Sequence, residues 1–272
     1  MILTSFEGRI GNNLFQIAAA ITLATSKNTE CFMFNKKNLM IIKDSFELPA
    51  VQVLDDRFHQ GHLPEGIHHR YDETKFSHFV DFLNIPDNTW LYGHFQSEKY
   101  FINNVDEIIK NFTFKECVTK KGKKSMFFPL KRIDTAFIHV RRTDYIPFSH
   151  IYPTCTVDHY RKCIDESGAR LVYVFSDDNQ WCIENFISDD KVEYIIVLEN
   201  DPIVCLYLMS LIDIAIIANS TFSWWGAWLN RNPNKQVYYP INWFGWHVPN
   251  GPNDVDNKTC TVDMFPPGWK GR

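Results

Sequence analysis

Short apolar runs that alternate with helical segments dominate this sequence. The first half opens with an apolar run over Met1–Phe6, a loop rich in glycine and asparagine, an apolar helical stretch over Leu14–Thr25 and another run over Glu30–Phe34. In the second half, strands are predicted at 136–140, 170–175, 192–198, 213–218 and 236–239, and helices at 157–166, 180–187, 202–211 and 222–229. Strands that alternate with helices form parallel sheets with right-handed crossovers, so we predict an α/β protein.

The pattern also divides the chain into two βαβ-type halves. The 272 residues are enough for one large domain or two small ones. A charged stretch with Gly122 and Pro129 separates the halves, and the predicted domains are 1–130 and 131–272. The tail after Pro240, rich in proline, glycine and tryptophan, is predicted to return to the first half.

One predicted strand, Ala136–Val140, leads into a cluster of charged residues. His139, Arg141, Arg142 and Asp144 lie within six residues at its carboxyl end. Ligands of open α/β sheets bind outside the carboxyl ends of the strands, and arginine suits bidentate recognition of phosphate. The alternative is a solvated arginine pair with Asp144 as a local counter-ion.

The neighbouring strand ends favour the binding interpretation. The other predicted strands of this half end in Ser176-Asp177-Asp178, Glu199-Asn200-Asp201 and Asn219-Ser220-Thr221. Because the carboxyl ends of parallel strands meet at one edge, these residues predict a lined crevice. Asp177 and Asp178 are equally well placed to cap the following helix.

The glycine-containing loop of the first half has a weaker signal. Gly8 and Gly11 are spaced GxxG without the third glycine of the dinucleotide fingerprint. The loop still opens a helix, whose N-terminus favours an anion. Alternatively, Asn12 and Asn13 cap that helix.

Composition narrows the class of protein. A net charge of −4 argues against a general nucleic-acid binder. The seven cysteines have no ligand-like spacing, which is typical of a reducing compartment, so we expect a cytoplasmic protein. No signal peptide or transmembrane helix is expected. The basic run Lys120–Lys124 is predicted to be a solvated loop, with peripheral attachment to the inner membrane as the alternative.

Five motifs together resemble the alpha-1,2-fucosyltransferase family of bacteria and animals. They begin at Gly8 (GRIGNNLFQ), Gly93 (GHFQSEKY), His139 (HVRRTD), Phe175 (FSDD) and Ala218 (ANSTFSWWGAW). The resemblance covers nearly the whole chain. It implies a glycosyltransferase B-type fold, with two Rossmann-like domains facing a cleft. It also implies GDP-fucose as donor, a galactose-terminated glycan as acceptor, and inverting transfer without a metal.

The resemblance also implies roles for individual residues. Arg141 would hold the β-phosphate of the leaving GDP, and Arg142 would orient its loop through local carboxylates. Asp144 and Glu7 are the candidates for the general base. The remaining residues predicted at the donor site are His139, Arg142, Asp177, Asp178, Asn219, Ser220, Thr221, Phe222, Ser223, Gly11, Asn12 and Asn13. The residues Trp224, Trp225 and Trp228 are predicted to be core.

Two departures from the family pattern bear on specificity. Cys205 stands where many members have an acidic residue, and Thr143 stands where many have glycine. If that acid reads the guanine edge, base recognition could differ here. The alternatives are a fucosyltransferase with a protein or chitooligosaccharide acceptor, and a catalytically silent glycan-binding protein with the same fold.

Overall fold

The protein is represented by a computed structural model that describes residues 1–4, 6–34, 36–59, 61–74, 77–125, 134–245 and 261–272. The chain forms two compact units. Unit 1 comprises Met1–Lys115 and Lys258–Pro266, and unit 2 comprises Glu116–Asn257 and Pro267–Arg272.

Unit 1 is a parallel sheet with a buried helix. Its strands are β1 (Ile2–Thr4), β2 (Cys31–Met33), β3 (Val51–Val53), β4 (His69–Asp72) and β5 (Thr89–Tyr92), in the order β3-β2-β1-β5-β4. Its helices are α1 (Ile10–Ser26), α2 (Lys37–Ser45) and α3 (Val105–Asn111). Helix α1 is buried along most of its length because nearly every residue from Leu14 to Ala24 is apolar.

Unit 2 contains a longer parallel sheet with helices between its strands. The strands are β6 (Thr135–Val140), β7 (Leu171–Ser176), β8 (Glu193–Ile196), β9 (Ile214–Ile216), β10 (Gln236–Tyr239) and β11 (Lys270–Gly271). Their order is β11-β10-β9-β6-β7-β8. The helices are α4 (Glu116–Ser125), α5 (Val157–Ser167), α6 (Asn179–Asn185), α7 (Pro202–Met209) and α8 (Thr221–Leu229).

The division between the units falls earlier than residue 130. Helix α4 belongs to unit 2, where a Cβ added at Gly122 would meet the Tyr207 ring of α7 at 2.5 Å. This glycine lets the two helices approach closely. Residues 126–133 of the predicted boundary stretch lie outside the described ranges. Of the tail, Lys258–Pro266 is grouped with unit 1, whereas β11 pairs with β10 in unit 2.

The prediction that Lys120–Lys124 forms a loop is wrong. The run lies on α4, where Lys120 pairs with Glu116 at 2.9 Å and Lys121 with Asp201 at 3.4 Å. Its lysines therefore occupy an amphipathic helix with acidic neighbours. Across the described ranges, no helix is both long and apolar enough to cross a membrane.

Candidate active site

The strand register of unit 2 places several predicted site residues along one edge of the sheet. Val140, the last residue of β6, is paired with Ser176 of β7, and Ile138 is paired with Ile216 of β9. The residues after β6, β7 and β9 therefore leave the sheet at the same edge. Arg141 and Asp177 directly follow their strands, so the register brings them together.

Arg141 is held between two carboxylates. Its Nε lies 2.7 Å from Oδ1 of Asp144, and its Nη1 lies 3.2 Å from Oδ2 of Asp177. The Arg141 side chain is 17% exposed, and its guanidinium carbon lies 5.8 Å from the centroid of the Tyr145 ring. These contacts fix the guanidinium in one orientation while leaving part of it accessible.

Arg142 makes a different set of contacts, and these contacts organise the loop after β6. Its Nε lies 3.1 Å from Oδ2 of Asp178, and its guanidinium carbon lies 4.0 Å from the centroid of the Trp181 ring. Its backbone N–H donates to Oδ1 of Asp177 at 2.9 Å. Asp178 also accepts from the Trp181 N–H and caps α6. Both aspartates are therefore engaged by protein groups, and Asp178 performs the capping role foreseen for it.

His139 is a buried, neutral imidazole behind the arginines. The residue is 4% exposed, and burial lowers its pKa to about 4, although Asp177 opposes this effect. Its backbone carbonyl accepts a 2.8 Å hydrogen bond from the Tyr160 hydroxyl, and its ring lies 5.7 Å from that of Phe222. Its Nδ1 has no hydrogen-bond partner among the described residues, so it can serve an additional group at this edge.

The segment after β9 combines buried structural residues with a helix start that has no side-chain cap. Asn219 is 3% exposed and donates from Nδ2 to the carbonyls of Pro153 and Trp243, at 2.9 and 3.0 Å. Its own carbonyl accepts from the Tyr145 hydroxyl at 3.0 Å. Asn219 therefore ties together the chain segments after β6, β9 and β10. Its side-chain Oδ1 has no partner within the described ranges.

Helix α8 begins without a side-chain cap, unlike α5, α6 and α7. Thr156, Asp178 and Asp201 cap α5, α6 and α7, whereas Ser220 makes no capping hydrogen bond to α8. The first N–H groups of a helix favour an anion when no side chain occupies them. Thr221 and Phe222 are partly exposed there, whereas Ser223 is fully buried and donates to the Ser220 carbonyl.

The glycine-containing loop in unit 1 is held by amides. Asn13 and Gln16 are fully buried, and the Asn13 Nδ2 donates to the Glu7 carbonyl and to Oε1 of Gln16. Helix α1 starts at Ile10 with Arg9 as its N-cap residue, so the prediction that Asn12 and Asn13 cap it is wrong. The turn before the helix needs a glycine, because Gly8 has φ +77° and an added Cβ would meet the Asn12 amide at 2.3 Å.

A second loop of unit 1 lies beside this one. Thr4 of β1 is paired with Leu91 of β5, so Glu7 and His94 each lie three residues beyond this paired position. Burial lowers the pKa of His94, and the neighbouring Glu7 carboxylate opposes the shift. The Gln16 Nε2 donates to the Gly93 carbonyl at 2.9 Å and joins the two loops. Glu7 and Gly11–Asn13 thus lie in unit 1, whereas the other predicted site residues lie in unit 2.

A buried carboxyl group that the sequence did not single out supports the second loop. Glu73 accepts the N–H of His94 at 2.7 Å and that of Phe95 at 3.0 Å. Phe95 has φ +52°, a conformation that costs a bulky residue and persists only when neighbours hold it. Burial raises the pKa of Glu73 to about 7, and the hydrogen bonds from Phe95, His94 and Tyr100 oppose that shift. Glu73 lies within residues 36–90, the part of the sequence with the weakest signals, so no motif pointed to it.

This arrangement of parallel sheets, polar strand ends and a motif-bearing arginine pair can be compared with known proteins. The model of the family described as glycosyl transferase family 11 matches residues 1–244. The chain belongs to this family. An alpha-1,2-colitosyltransferase of Escherichia coli is 31% identical over 286 residues, which cover 90% of this chain and 92% of the relative. A galactoside 2-alpha-L-fucosyltransferase of Caenorhabditis elegans is 25% identical over 300 residues, covering 99% of this chain and 78% of the relative.

Solved structures agree on the fold of this glycosyltransferase. A crystal structure of the fucosyltransferase NodZ from Bradyrhizobium matches with a TM-score of 0.54 at 13% identity, covering 83% of this chain and 91% of NodZ. NodZ soaked with GDP-fucose matches with a TM-score of 0.55 at 14% identity, covering 86% and 96%. The predicted glycosyltransferase B-type fold and the resemblance to alpha-1,2-fucosyltransferases are confirmed.

Two further predictions concern residues of this glycosyltransferase outside the arginine cluster. Trp224, Trp225 and Trp228 are at most 4% exposed, which confirms that they are core. Cys205 lies in α7, where its thiol donates to the Glu199 carbonyl at 3.4 Å and burial raises its pKa to about 12. The effect of Cys205 on guanine recognition stays a prediction.

In the described part of the chain, no group of three or more His, Cys, Asp or Glu side chains could hold a metal ion.

Proposed function

We propose that this glycosyltransferase transfers L-fucose from GDP-fucose to the 2-hydroxyl of a terminal galactose, with inversion at the anomeric carbon. The observation that carries the proposal is the oriented Arg141 guanidinium, which lies at the same sheet edge as the uncapped start of α8. Both features favour a phosphate group. The 2-alpha-L-fucosyltransferase relative and the GDP-fucose soaked into NodZ support GDP-fucose as the sugar donor.

In this proposal Arg141 acts on the leaving group. Negative charge develops on the β-phosphate as the bond to the sugar breaks, and a preorganised donor aimed at that charge lowers the barrier. Asp144 and Asp177 hold Arg141 in place before the substrate arrives, so little reorganisation is needed. The N–H groups at the start of α8 would bind the same diphosphate. With this positive charge supplied by the protein, the proposed chemistry requires no metal ion.

The residues around Arg141 would then bind or support the donor. His139 is neutral near pH 7 and offers its Nδ1 for a hydrogen bond to the nucleotide. Ser220, Thr221 and Phe222 lie at the start of α8, where the proposal places the diphosphate. Arg142, Asp177, Asp178, Asn219 and Ser223 hold the loops through the contacts described above and act on the donor indirectly.

Glu7 is the favoured general base. Transfer requires removal of a proton from the acceptor hydroxyl, and Asp144 is already engaged by Arg141 at 2.7 Å. Replacement of Glu7 with Gln should therefore remove the acidic limb of the pH–rate profile for transfer. Replacement of Asp144 with Asn should instead raise the KM for the donor by loosening Arg141. An unchanged profile in the Glu7→Gln protein would eliminate Glu7 as the base.

Transfer of a colitosyl group is the second candidate activity, because the 31% identical relative carries that name. Competition between GDP-fucose and nucleotide-activated colitose would decide between them by the ratio of kcat/KM values. A catalytically silent glycan-binding protein would release no GDP from GDP-fucose.

The cytoplasmic location expected from the sequence stays a prediction.

The first experiment is isothermal titration calorimetry with GDP and with UDP, each in the presence of EDTA. The proposal expects GDP to bind and UDP to give no signal. Binding of neither nucleotide, or equal binding of both, would contradict the guanine-nucleotide assignment. GDP binding that is seen only when the titration is repeated without EDTA would contradict the metal-independent mechanism. Galactosides would then be screened as acceptors by GDP release from GDP-fucose.

A further inference from the structure

A buried amide in unit 1 has an oxygen without a protein partner. Gln96 is 5% exposed, and its Nε2 donates to Oδ1 of Asn12 at 3.1 Å. The Gln96 Oε1 has no hydrogen-bond partner among the described residues. Because the amide nitrogen is directed to Asn12, the oxygen is directed to the other side of the amide. A buried acceptor in this state is costly unless a ligand or water supplies a donor.

Neighbouring residues hold Gln96 in a fixed position. Glu73 fixes the two preceding residues by accepting their N–H groups, and the Gly93 carbonyl accepts from Gln16. A Cβ added at Gly93 would lie 2.4 Å from the Cβ of Glu73, so glycine is needed for this close approach. Phe95 adopts φ +52° directly before Gln96. A strained turn that several groups hold in place is typical of a functional site.

The chemistry around Gln96 selects its ligand. An amide oxygen can only accept hydrogen bonds, so it needs a donor group and offers nothing to a phosphate. Glu7 is close enough to His94 to influence its pKa, so this edge also carries a carboxylate that repels anions. A neutral sugar presents several hydroxyl donors without charge and fits both requirements.

We propose that Gln96 is a specificity residue for the acceptor, and that its Oε1 accepts a hydrogen bond from one hydroxyl of the neutral sugar that receives the transferred group. This inference rests on the proposed function, because it takes a galactoside as the acceptor. Glu73 acts through the turn as a positioning residue and does not touch the sugar. Asn12 holds the Gln96 amide in the orientation that leaves the buried Oε1 without a donor among the described residues.

The test compares galactosides that lack single hydroxyl groups. The full chain is assayed with GDP-fucose and with lactose, or with lactose deoxygenated at the 3-, 4- or 6-position of its galactose. The wild-type protein is compared with Gln96→Met, which keeps the side-chain length and removes the amide. Gln52→Met is the matched control, because Gln52 is an exposed glutamine of β3 that donates to Glu30.

We expect Gln96→Met to lose the contribution that one acceptor hydroxyl makes to acceptor binding, and to keep the contributions of the others. Gln96→Met should raise the acceptor KM about tenfold, the effect of losing one neutral hydrogen bond. The KM for GDP-fucose and the rate of donor hydrolysis without acceptor should not change. One deoxygenated lactose should be penalised in the wild-type protein and should carry no further penalty in Gln96→Met. A merely structural role would leave every deoxygenation penalty in place, and that outcome overturns the proposal.

Other outcomes separate this inference from the proposed function. If the wild-type protein neither hydrolyses nor transfers from GDP-fucose, the proposed function fails and this inference with it. If it hydrolyses GDP-fucose but neither lactose nor any other galactoside in the screen accelerates GDP release, the donor assignment stands and the acceptor site is overturned. Should Gln96→Met fail to fold, Gln96→Asn keeps a neutral amide and withdraws its oxygen by one methylene. That variant should lose the contribution of the same hydroxyl, and an unchanged pattern of deoxygenation penalties would overturn the proposal.

Discussion

The two units hold the loops at their sheet edges with different chemistry. In unit 2, Arg141 lies between Asp144 and Asp177, and Arg142 lies between Asp178 and the Trp181 ring. In unit 1 the loops after β1 and β5 are joined by neutral amides, which are Asn12, Asn13, Gln16 and Gln96. The carboxyl group of Glu73 supports the same region through backbone N–H groups.

The contrast indicates what each edge is suited to bind. Ion pairs preorganise fixed positive charge, which stabilises an anionic ligand. An amide network presents oriented donors and acceptors without net charge, which suits a hydroxyl-rich neutral ligand. The same fold element, a parallel strand followed by a polar loop, therefore provides two kinds of binding surface. If the two edges differ in this way, substitutions at the two edges should have different effects.

The largest effect is expected at the charged edge. The Arg141→Ala variant should lower kcat for transfer by about 10²–10³-fold, because one preorganised donor to the leaving group is removed. Initial rates of GDP release with a galactoside acceptor measure this. The Arg161→Ala variant is the matched control, since Arg161 is an exposed arginine of α5 in the same unit. The melting temperatures of both variants should stay close to that of the wild-type protein. Near-normal turnover by Arg141→Ala would remove Arg141 from the mechanism.

Removing the central amide of either edge should destabilise the unit that contains it. Asn219→Ala leaves the carbonyls of Pro153 and Trp243 without their donor, and Gln16→Ala does the same to Gly93. Each unsatisfied buried group costs about 1–3 kcal/mol. Native-state hydrogen exchange should show faster opening of α8 in the first variant and of α1 in the second. Equal acceleration in both units would show that the edges are not independent.

The stability of the two units should respond to pH in opposite directions. In unit 1 the folded pKa of Glu73 is raised from 4.5 to about 7, so its stabilising contribution is present below 4.5 and is lost as pH rises through 7. In unit 2 the folded pKa of His139 is lowered from 6.5 to about 4, so its contribution is present above 6.5 and is lost as pH falls through 4. Each slope is at most about 1.4 kcal/mol per pH unit.

This prediction is tested by converting hydrogen-exchange rates in α1 and α8 to opening free energies between pH 5 and pH 7. The free energy for α1 should fall with rising pH, and that for α8 should rise. Glu73→Gln should flatten only the first trend, and His139→Gln only the second. Each variant serves as the other's control. A variant that flattens both trends, or neither, would contradict the assignment.

The smallest effect is expected at Tyr145. Tyr145→Phe removes the hydrogen bond from its hydroxyl to the Asn219 carbonyl but keeps the ring beside Arg141. The loss of one such bond should cost about 0.5–1.5 kcal/mol of stability. Urea unfolding followed by tryptophan fluorescence measures this. The kcat for transfer should remain within a few-fold of the wild-type value, and a larger fall would indicate that the hydroxyl orients Arg141.

Sequence reasoning was strongest where local pattern and burial agree. Strand β10 was predicted with its exact bounds, and helices α6 and α8 were displaced by only a few residues. It was weakest in unit 1, where apolar residues at helical spacing from Phe101 to Phe112 predict one helix that starts near Ser97, whereas the structure has two short 3₁₀ turns followed by α3. Strand β4 was missed because its four residues are mostly polar and exposed, so no hydrophobic alternation marks it.

The sequence by itself determined the class of the fold, the family, and the arginine pair, because buried strands, helix periodicity and contiguous motifs are local properties of the chain. Only the tertiary structure decided that Asp177 pairs with Arg141 and Asp178 with Arg142, that Asn13 and Ser223 are buried, and that Glu73 supports the turn before Gln96. Each of these depends on residues that are far apart in sequence and are brought together by the register of parallel strands. That register follows from the packing of a whole unit, so no short stretch of sequence encodes it.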